Sequence, residues 1–334
     1  MNEILDLLVV GAGPTGIAIG AEARRQGLSV LLVDRGPLTA AIQGYPTFME
    51  FFTTRDRLEI ANVPFTIPDD KPTRRQALAY YRFVVDHYKV PLALYEDVLE
   101  VKKEGETFMV HTRRERLGPR TLRARAVAIA TGYFVNPRRL GAPGEDLPWV
   151  SFRYKEPFPH FGQDVVVIGA GNTAVEAALD LWRSGVRVRL VHRGPGLKAG
   201  VKYWLKPDME NRIEEGSIPA HFNTLVRAFL PEGAVELETP DGPELLPAQA
   251  AYVLIGYVPD ADFERRCGVE VDPASLIPAY DPETCESNVP GLYIAGTLQA
   301  GRATDKIFIE NSRDHGPKIV SHLKGRLAAV PAER

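Results

Sequence analysis

Apolar positions come in short blocks separated by glycine-rich turns, and one arrangement of blocks occurs twice. Leu5 to Val10 form an apolar run that ends in Gly11-Ala12-Gly13-Pro14-Thr15-Gly16. A helical pattern follows (Ile17, Ile19, Ala21, Ala23), then Gly27, then the apolar run Val30 to Val33, closed by Asp34. From Asp164 the pattern returns. Val165 to Ile168 end in Gly169-Ala170-Gly171-Asn172-Thr173-Ala174, and a helical stretch follows through Val175, Ala178, Leu179 and Leu181. Gly185 then leads into Val186 to Val191, closed by His192-Arg193. The second copy lies 158 positions after the first, with its glycines at the same spacing. Each copy reads as strand, glycine-rich turn, helix, strand.

Between the copies, a loop rich in aromatics and turn residues (Gln43 to Phe52) leads past Pro64 and Pro68 to a helix over about Arg74 to His87. β-rich segments run from Leu92 to Val110, and Ala126 to Ala130 meet Thr131-Gly132-Tyr133. These segments belong with the first copy. After the second copy come short strands and hairpins from Ile218 to Ile255, then a strand from Leu292 to Ala295 that ends at Gly296. A final helix is expected over roughly Asp305 to Ala328. The fold class that follows is α/β, with two Rossmann-like dinucleotide-binding domains of three layers each.

The glycine spacing has a physical basis. Gly11 and Gly169 permit the tight turn, and Gly13 and Gly171 let the backbone approach a pyrophosphate. Gly16 and Ala174 are small enough for the helix to pack closely on the strand, and the phosphates sit at the positive end of that helix. One such fingerprint is unspecific; two in register, each between strand and helix, are not.

The end of each second strand separates the two sites. Asp34 stands 21 residues after Gly13, where a carboxylate accepts hydrogen bonds from a ribose diol. His192 stands 21 residues after Gly171, with Arg193 beside it and no acid there. An arginine attracts a 2′-phosphate that a carboxylate repels, by about 1.5–3 kcal/mol, or roughly 10- to 150-fold. The first unit therefore reads as an FAD site and the second as an NADPH site; the alternative for Arg193 is a solvent-facing side chain. Two such sites in one chain suggest hydride passing from nicotinamide to flavin. The start of the final helix, near Thr304-Asp305, is expected to turn its positive end toward the flavin pyrimidine.

Composition narrows the classes. The chain has 334 residues, 45% apolar, with 43 acidic and 40 basic residues for a net charge of −3. That balance argues against nucleic acid or an acidic membrane as a general partner. No apolar run reaches the length of about 18 residues that a membrane helix needs. The start shows no basic region of a secretory leader, so a cytoplasmic protein is expected. The two cysteines, Cys267 and Cys285, are 18 residues apart, which fits neither a C-x-x-C redox pair nor a zinc ribbon. They read as small apolar residues. The seven histidines show no metal-ligand spacing, so no metal is expected.

Gly11 to Gly16, Ala130-Thr131-Gly132-Tyr133, Gly169 to Ala174 and Gly291-Leu292-Tyr293-Ile294-Ala295-Gly296 together resemble the low-molecular-weight thioredoxin-reductase-like flavoproteins. Within them the chain is most similar to the bacillithiol disulfide reductase family. The segments that carry this are Tyr45-Pro46-Thr47 with Phe51-Phe52, Val63-Pro64-Phe65, and Lys71-Pro72 leading to Gln76-Ala77-Leu78-Ala79-Tyr80-Tyr81-Arg82. Further on stand Ile255-Gly256-Tyr257 with Pro259-Asp260, and Ile307-Phe308-Ile309-Glu310-Asn311 ahead of His315-Gly316.

The resemblance implies that the NADPH domain (150–258) is inserted into a discontinuous FAD domain (1–149 and 259–334). It implies an NADPH-dependent FAD enzyme that reduces the disulfide of a low-molecular-weight thiol, working as a homodimer. It sets the FAD pyrophosphate on Gly11, Gly13 and Gly16 and the ribose on Asp34, with Thr131, Gly132 and Gly296 along the flavin chain. It also sets Pro14, Thr15, Arg35, Gln43, Tyr45, Val98, Lys306 and Ile307 beside the FAD. NADPH falls to Gly169, Gly171, Asn172, Thr173, His192 and Arg193. Lys202 reads equally as a contact to the 2′-phosphate or substrate and as a solvated loop lysine.

Two positions depart from the pattern. Gly296-Thr297 stands where thioredoxin reductases have Gly-Asp, as it does in the bacillithiol branch. Thr15 stands where members of that branch carry a cysteine, the proposed redox thiol, and a threonine forms no mixed disulfide. Electrons must then leave the flavin directly, toward a small disulfide, a quinone, oxygen or a one-electron protein. A ferredoxin/flavodoxin–NADP reductase and a non-catalytic or sensor flavoprotein are the alternatives. A flavin monooxygenase is disfavoured, because Trp149 to Tyr154 lacks the expected glycine and histidine.

Overall fold

The computed structural model of the chain describes residues 4–329. Strand β1 (Leu5–Val10), helix α1 (Pro14–Arg25) and strand β2 (Val30–Asp34) open it. Short helices α2 (Ala40–Gln43) and α3 (Arg55–Leu58) lead to α4 (Arg74–Tyr88) and β3 (Leu92–Leu94). Three longer strands follow: β4 (Glu96–Glu104), β5 (Thr107–Arg114) and β6 (Gly118–Ile129). Next come β7 (Val150–Ser151), β8 (Asp164–Ile168), α5 (Asn172–Arg183), β9 (Arg187–Val191) and α6 (Lys206–Glu214). The strands β10 (Ala220–His221), β11 (Leu225–Leu230), β12 (Ala234–Thr239), β13 (Gly242–Pro247) and β14 (Ala250–Val253) succeed them. The chain ends with α7 (Ala261–Arg266), β15 (Leu292–Ile294), α8 (Ile309–Ser312) and α9 (His315–Ala329).

These elements form two units. One comprises residues 4–43, 49–136 and 258–329; the other comprises 44–48 and 137–257. Residues 137–149, which the sequence alone leaves with the first part, pack in the second unit. There the Arg138 N–H donates to Gly256 O at 2.9 Å and the Phe229 N–H to Pro143 O at 2.8 Å.

In the first unit the strands run in the order β3-β2-β1-β6, parallel, with β15 also parallel to β6. Val10 pairs with both Val33 and Ile129, and Ile129 with Ile294, so the strands end level. Gly11, Asp34, Ala130 and Ala295 therefore begin their turns along one carboxyl edge, where open α/β sheets bind ligands. The amino-terminal half of β6 continues into an antiparallel meander with β5 and β4. Helix α1 is rich in Gly and Ala because neighbours crowd it. A carbon added at Gly20 would lie 2.6 Å from Leu32, and one at Gly316 of α9 would lie 2.9 Å from the Ala18 carbonyl. Helix α4 begins with a capping box of Thr73 and Gln76, whose backbone N–H groups each bond the other's side chain.

The second unit is a parallel sheet in the order β10-β9-β8-β14-β7, with β11-β12-β13 as a separate antiparallel sheet. The near-continuous apolar runs of β8 and β14 reflect burial on both faces. Val175, Ala178 and Leu179 of α5 pack on one face, and Phe229, Val235, Leu237 and Leu246 of the antiparallel sheet join the core on the other.

One expected element differs. The stretch 305–328 is not a single helix beginning at Thr304-Asp305. Residues 301–308 form turns, α8 is a single turn, and α9 starts only at His315. Polar side chains divert the backbone. Asn311 Oδ1 accepts the Phe308 N–H at 2.7 Å, Asn311 Nδ2 donates to Lys306 O at 2.8 Å, and the Ser312 hydroxyl donates to Phe308 O at 2.7 Å. Among the described residues no helix is long and apolar enough to cross a membrane.

Candidate functional site

The first glycine turn shows which of its glycines serve the fold and which leave room. Gly11 has φ +114°, and a carbon added there would lie 2.5 Å from the Ala130 carbonyl oxygen. A carbon at Gly16 would lie 2.0 Å from the Gly11 carbonyl oxygen. Both positions are closed by backbone. At Gly13 nothing lies within 4 Å. That open position is the N-cap of α1, Pro14 begins the helix, and no acid stands in the first turn. Space is therefore open beside Gly13 at the positive helix end, and the turn fits a pyrophosphate.

Asp34 does more than wait for a ribose. Its Oδ2 accepts the Ala12 N–H at 2.7 Å and its Oδ1 the Gly36 N–H at 2.8 Å. A carboxylate offers about four acceptor sites, so each oxygen keeps capacity for a hydroxyl. Burial pushes the Asp34 carboxyl upward, against the two amide bonds and the neighbouring Arg35. Arg35 itself is exposed.

The level strand ends bring three segments to this turn. Gly132 has φ +64°, and a carbon there would stand 3.5 Å from Thr297 Oγ1. The Tyr133 hydroxyl donates to Thr304 O at 3.0 Å. Gly296, φ +72°, lies against Thr15, at 3.0 Å from Oγ1 to an added carbon. Its N–H donates to Nδ1 of His315 at 3.0 Å. His315 is buried, and that burial lowers its pKa to about 4, so it stays neutral and accepts. Thr15 Oγ1 stands 3.1 Å from Ser312 Oγ. Lys306 and Ile307 lie in the turn that precedes α8 rather than on a helix. Val98 is buried in the core beside Val10 and Val33. The Gln43 side chain donates to Leu38 O at 2.9 Å in the first unit. Tyr45 belongs to the segment 44–48 of the second unit, where the Thr47 N–H donates to Lys155 O at 2.8 Å.

The second turn repeats the backbone and changes the surroundings. Gly169 has φ +139°, and an added carbon would lie 2.4 Å from the Leu254 carbonyl oxygen; at Gly171 the nearest atom is Lys198 Cδ, at 3.8 Å. Again the middle glycine is the open one. The loop after β9 is fastened across this turn. The Lys198 N–H donates to Ala170 O at 3.0 Å, the Lys202 N–H to Asn172 Oδ1 at 2.9 Å, and Asn172 Nδ2 to Gly200 O at 3.2 Å. Thr173 and Arg193 are exposed. Burial lowers the His192 pKa, helped by Lys198 and Arg193.

Lys198 is the residue the sequence reading passed over. A second cation five positions after Arg193, in a glycine-rich loop, was the signal available. Glu176, one turn into α5, is pushed up to about 7 by burial and by Asp180, against Lys202. Ser312 and His315 were out of reach, because Ser312 meets Thr15 across 297 positions of sequence.

No thiol stands at either turn. Cys267 and Cys285 are both free and buried. Burial pushes the Cys267 thiol up to about 12 and that of Cys285 upward as well. Among the described residues no group of three or more His, Cys, Asp or Glu is placed to hold a metal.

The family described as pyridine nucleotide-disulphide oxidoreductase matches residues 8–296. The bacilliredoxin reductase Bdr of Bacillus subtilis (strain 168) is 37% identical over 322 residues, covering 96% of this chain and 97% of that protein. The solved structure of bacillithiol disulfide reductase Bdr (YpdA) from Bacillus cereus superposes with a TM-score of 0.94 at 35% identity, over 97% of this chain and all of that one. The Staphylococcus aureus structure of the same description gives 0.90 at 34% identity, over 98% and 99% of the two chains.

Proposed function

The chain belongs to the pyridine nucleotide-disulphide oxidoreductase family, in its bacilliredoxin-reductase branch, and from that premise we propose that it is an NADPH-dependent FAD enzyme reducing a low-molecular-weight disulfide such as bacillithiol disulfide. It is a flavin-dependent oxidoreductase that uses a nicotinamide cofactor, as its family implies.

The observation that carries the finer reading is the contrast between two otherwise equal turns. Gly13 and Gly171 leave the same open approach at a helix N-terminus. Asp34 closes the first with an acid that suits an unphosphorylated ribose. At the second, Arg193, exposed after β9, and Lys198, whose Cδ lies 3.8 Å from a carbon added at Gly171, supply cations that suit a 2′-phosphate. When bound, the two cofactors supply a two-electron relay, hydride from the nicotinamide and then an electron pair to the acceptor.

The chain's own part is to bind and orient. The free amide N–H groups of the first helical turn, which Pro14 begins, would hold the FAD pyrophosphate, and Asp34 the ribose diol. Asn172 holds the loop that carries Lys198 and Lys202 over the NADPH turn. No cysteine of the chain enters the reaction in this reading. Thr15 offers only a hydroxyl, and the two thiols are buried and held protonated. The net change is NADPH, one proton and one disulfide giving NADP⁺ and two thiols: one S–S bond breaks and two S–H bonds form. Branch membership also leads us to expect a homodimer in the cytoplasm.

The test is an anaerobic mixture with NADPH followed by a panel of acceptors. The yellow flavin should bleach, and bacillithiol disulfide should reoxidise it faster than ferredoxin or quinone. A flavin that stays yellow refutes the reductase reading, and faster reoxidation by ferredoxin moves the protein to the ferredoxin–NADP reductases.

A further inference from the structure

Thr15, the second residue of α1, is fixed by contacts that owe nothing to sulfur chemistry. Its Oγ1 stands 3.1 Å from Ser312 Oγ. Ser312 is fully buried, and its Oγ lies 2.7 Å from Phe308 O, an acceptor that only the Ser312 hydroxyl hydrogen can satisfy in that bond. A hydroxyl has one hydrogen, so Thr15 donates and Ser312 accepts. On its other side Thr15 fills the space over Gly296. A carbon added at Gly296 would lie 3.0 Å from Thr15 Oγ1, 3.3 Å from Cβ and 3.4 Å from Cγ2.

One side chain thus touches both ends of the segment 296–312. Leu298 anchors the start of that segment in the core, and its far end around α8 depends on side-chain contacts. Helix α8 has four residues, far below the length at which a helix is stable by itself. The bonds within it, from Asn311 to Lys306 O and from the Phe308 N–H to Asn311, tie it to itself rather than to the glycine turn. The segment's ties to the rest of the unit include Gly296 to His315, the Thr53 hydroxyl to Glu310, the Tyr133 hydroxyl to Thr304 O, and Arg302 to Ser275 O and Ala274 O. The bond from Thr15 to Ser312 joins it to the first glycine turn.

We propose that Thr15 is a positioning residue for the flavin: its hydroxyl on Ser312 and its methyl over Gly296 hold the segment 296–312 against the first glycine turn, and so set the surroundings of the bound flavin. This rests on the reading above, in which FAD lies along Gly11 to Gly16, Thr131-Gly132 and Gly296. The position to which the resemblance assigns a cysteine is here a structural donor. Valine at this position keeps the shape and loses the hydrogen. Serine keeps the hydrogen and loses the methyl. Cysteine loses the methyl and donates only weakly.

The experiment compares the wild type with Thr15→Val, Thr15→Ser, Thr15→Cys and Ser312→Ala. Flavin-stripped protein is titrated with FAD by fluorescence quenching, amide exchange is followed over 296–312 without flavin, and the visible spectrum and midpoint potential are recorded with it. Thr15→Val should bind FAD about 3- to 10-fold more weakly, the loss of one hydrogen bond. It should also exchange faster over 309–312 and shift both spectrum and potential. Thr15→Ser should return to within about twofold of wild type, and Ser312→Ala and Thr15→Cys should follow Thr15→Val. Wild-type values for Thr15→Val overturn the proposal, as does Thr15→Ser no better than valine. If Thr15→Val fails to fold, Ser312→Ala decides: a wild-type result there overturns it. Wild-type protein that takes up FAD but is not bleached by NADPH sinks the reductase reading and leaves the role of Thr15 standing. Failure to take up FAD overturns both.

Discussion

Arg193→Ala should separate NADPH from NADH. The guanidinium stands at the end of β9, exposed, with no acid beside it, and Lys198 lies over the open glycine of the same turn. Burial and these two cations lower the pKa of His192, so above neutral pH it adds no charge. On the proposed reading, two cations would meet the 2′-phosphate. A charge-assisted contact of this kind is worth about 1.5–3 kcal/mol, or roughly 10- to 150-fold. Exposure and salt screening push the value toward the lower end. Arg193→Ala should cost about tenfold in the NADPH efficiency of flavin bleaching, Lys198→Ala a similar factor, and the pair about 100-fold if their losses add. NADH, which has no phosphate there, should change by less than about twofold. The assay is anaerobic stopped-flow bleaching at about pH 8, where His192 is neutral, at low and high salt. The preference for NADPH should shrink as salt rises. Equal losses with both cofactors would refute the assignment, and so would a wild-type preference that ignores salt.

The glycines of the first turn should fall into two classes. Gly16→Ala and Gly11→Ala place a carbon 2.0 and 2.5 Å from backbone oxygens, so both should lower the melting temperature of flavin-free protein; Gly13→Ala, with nothing within 4 Å, should leave it unchanged and weaken FAD uptake. Glu264 gives a pH signature. It is buried, neither carboxyl oxygen has a partner, and burial pushes its pKa up to about 8. The folded state then holds a proton that the unfolded chain releases above the ordinary carboxyl range. Stability should fall from about pH 4.5 to pH 8, by up to about 1.4 kcal/mol per pH unit, and denaturant titration of Glu264→Leu should show this slope gone. A slope that survives would place the titration elsewhere. Finally, Cys267→Ala with Cys285→Ala should keep disulfide turnover with NADPH. Loss of turnover in a double variant that still binds FAD would bring a thiol back into the reaction.

Much of the architecture was legible because it rests on local chemistry. The two strand–turn–helix units, α4, and the Leu292–Ile294 strand before Gly296 all follow from patterns within a few residues. The final helix was misread for a local reason that a simple apolar pattern hides. Ile307, Ile309 and Ile319 keep a helical look, yet Asn311 and Ser312 capture backbone groups and break the run before His315. Segment 44–48 was assigned by its neighbours in sequence, and its Thr47 N–H bond to Lys155 could not be foreseen from either stretch alone. Ser312 and His315 stayed silent because their meaning lies in partners far away along the chain.

The two turns share a backbone and differ in what stabilises it, and this decides which substitutions are informative. In the first turn the acid that would meet the ribose also accepts the Ala12 N–H, inside the turn itself. Removing Asp34 would strip a buried amide of its partner, so Asp34→Ala would lose flavin binding for two reasons at once. In the second turn the corresponding place holds His192, and the turn is fastened from outside. Lys198 reaches Ala170 through its backbone N–H, and Asn172 clasps Gly200 and the Lys202 N–H. The charged ends of Arg193 and Lys198 take no part in that fastening. Their charge can change without unravelling the turn, whereas Asp34 cannot. The second turn is thus the one whose charge can report cofactor choice cleanly, and Arg193→Ala and Lys198→Ala should alter that choice at unchanged melting temperature. A fall in melting temperature with either variant would mean that charge and fold are coupled in the second turn as they are in the first.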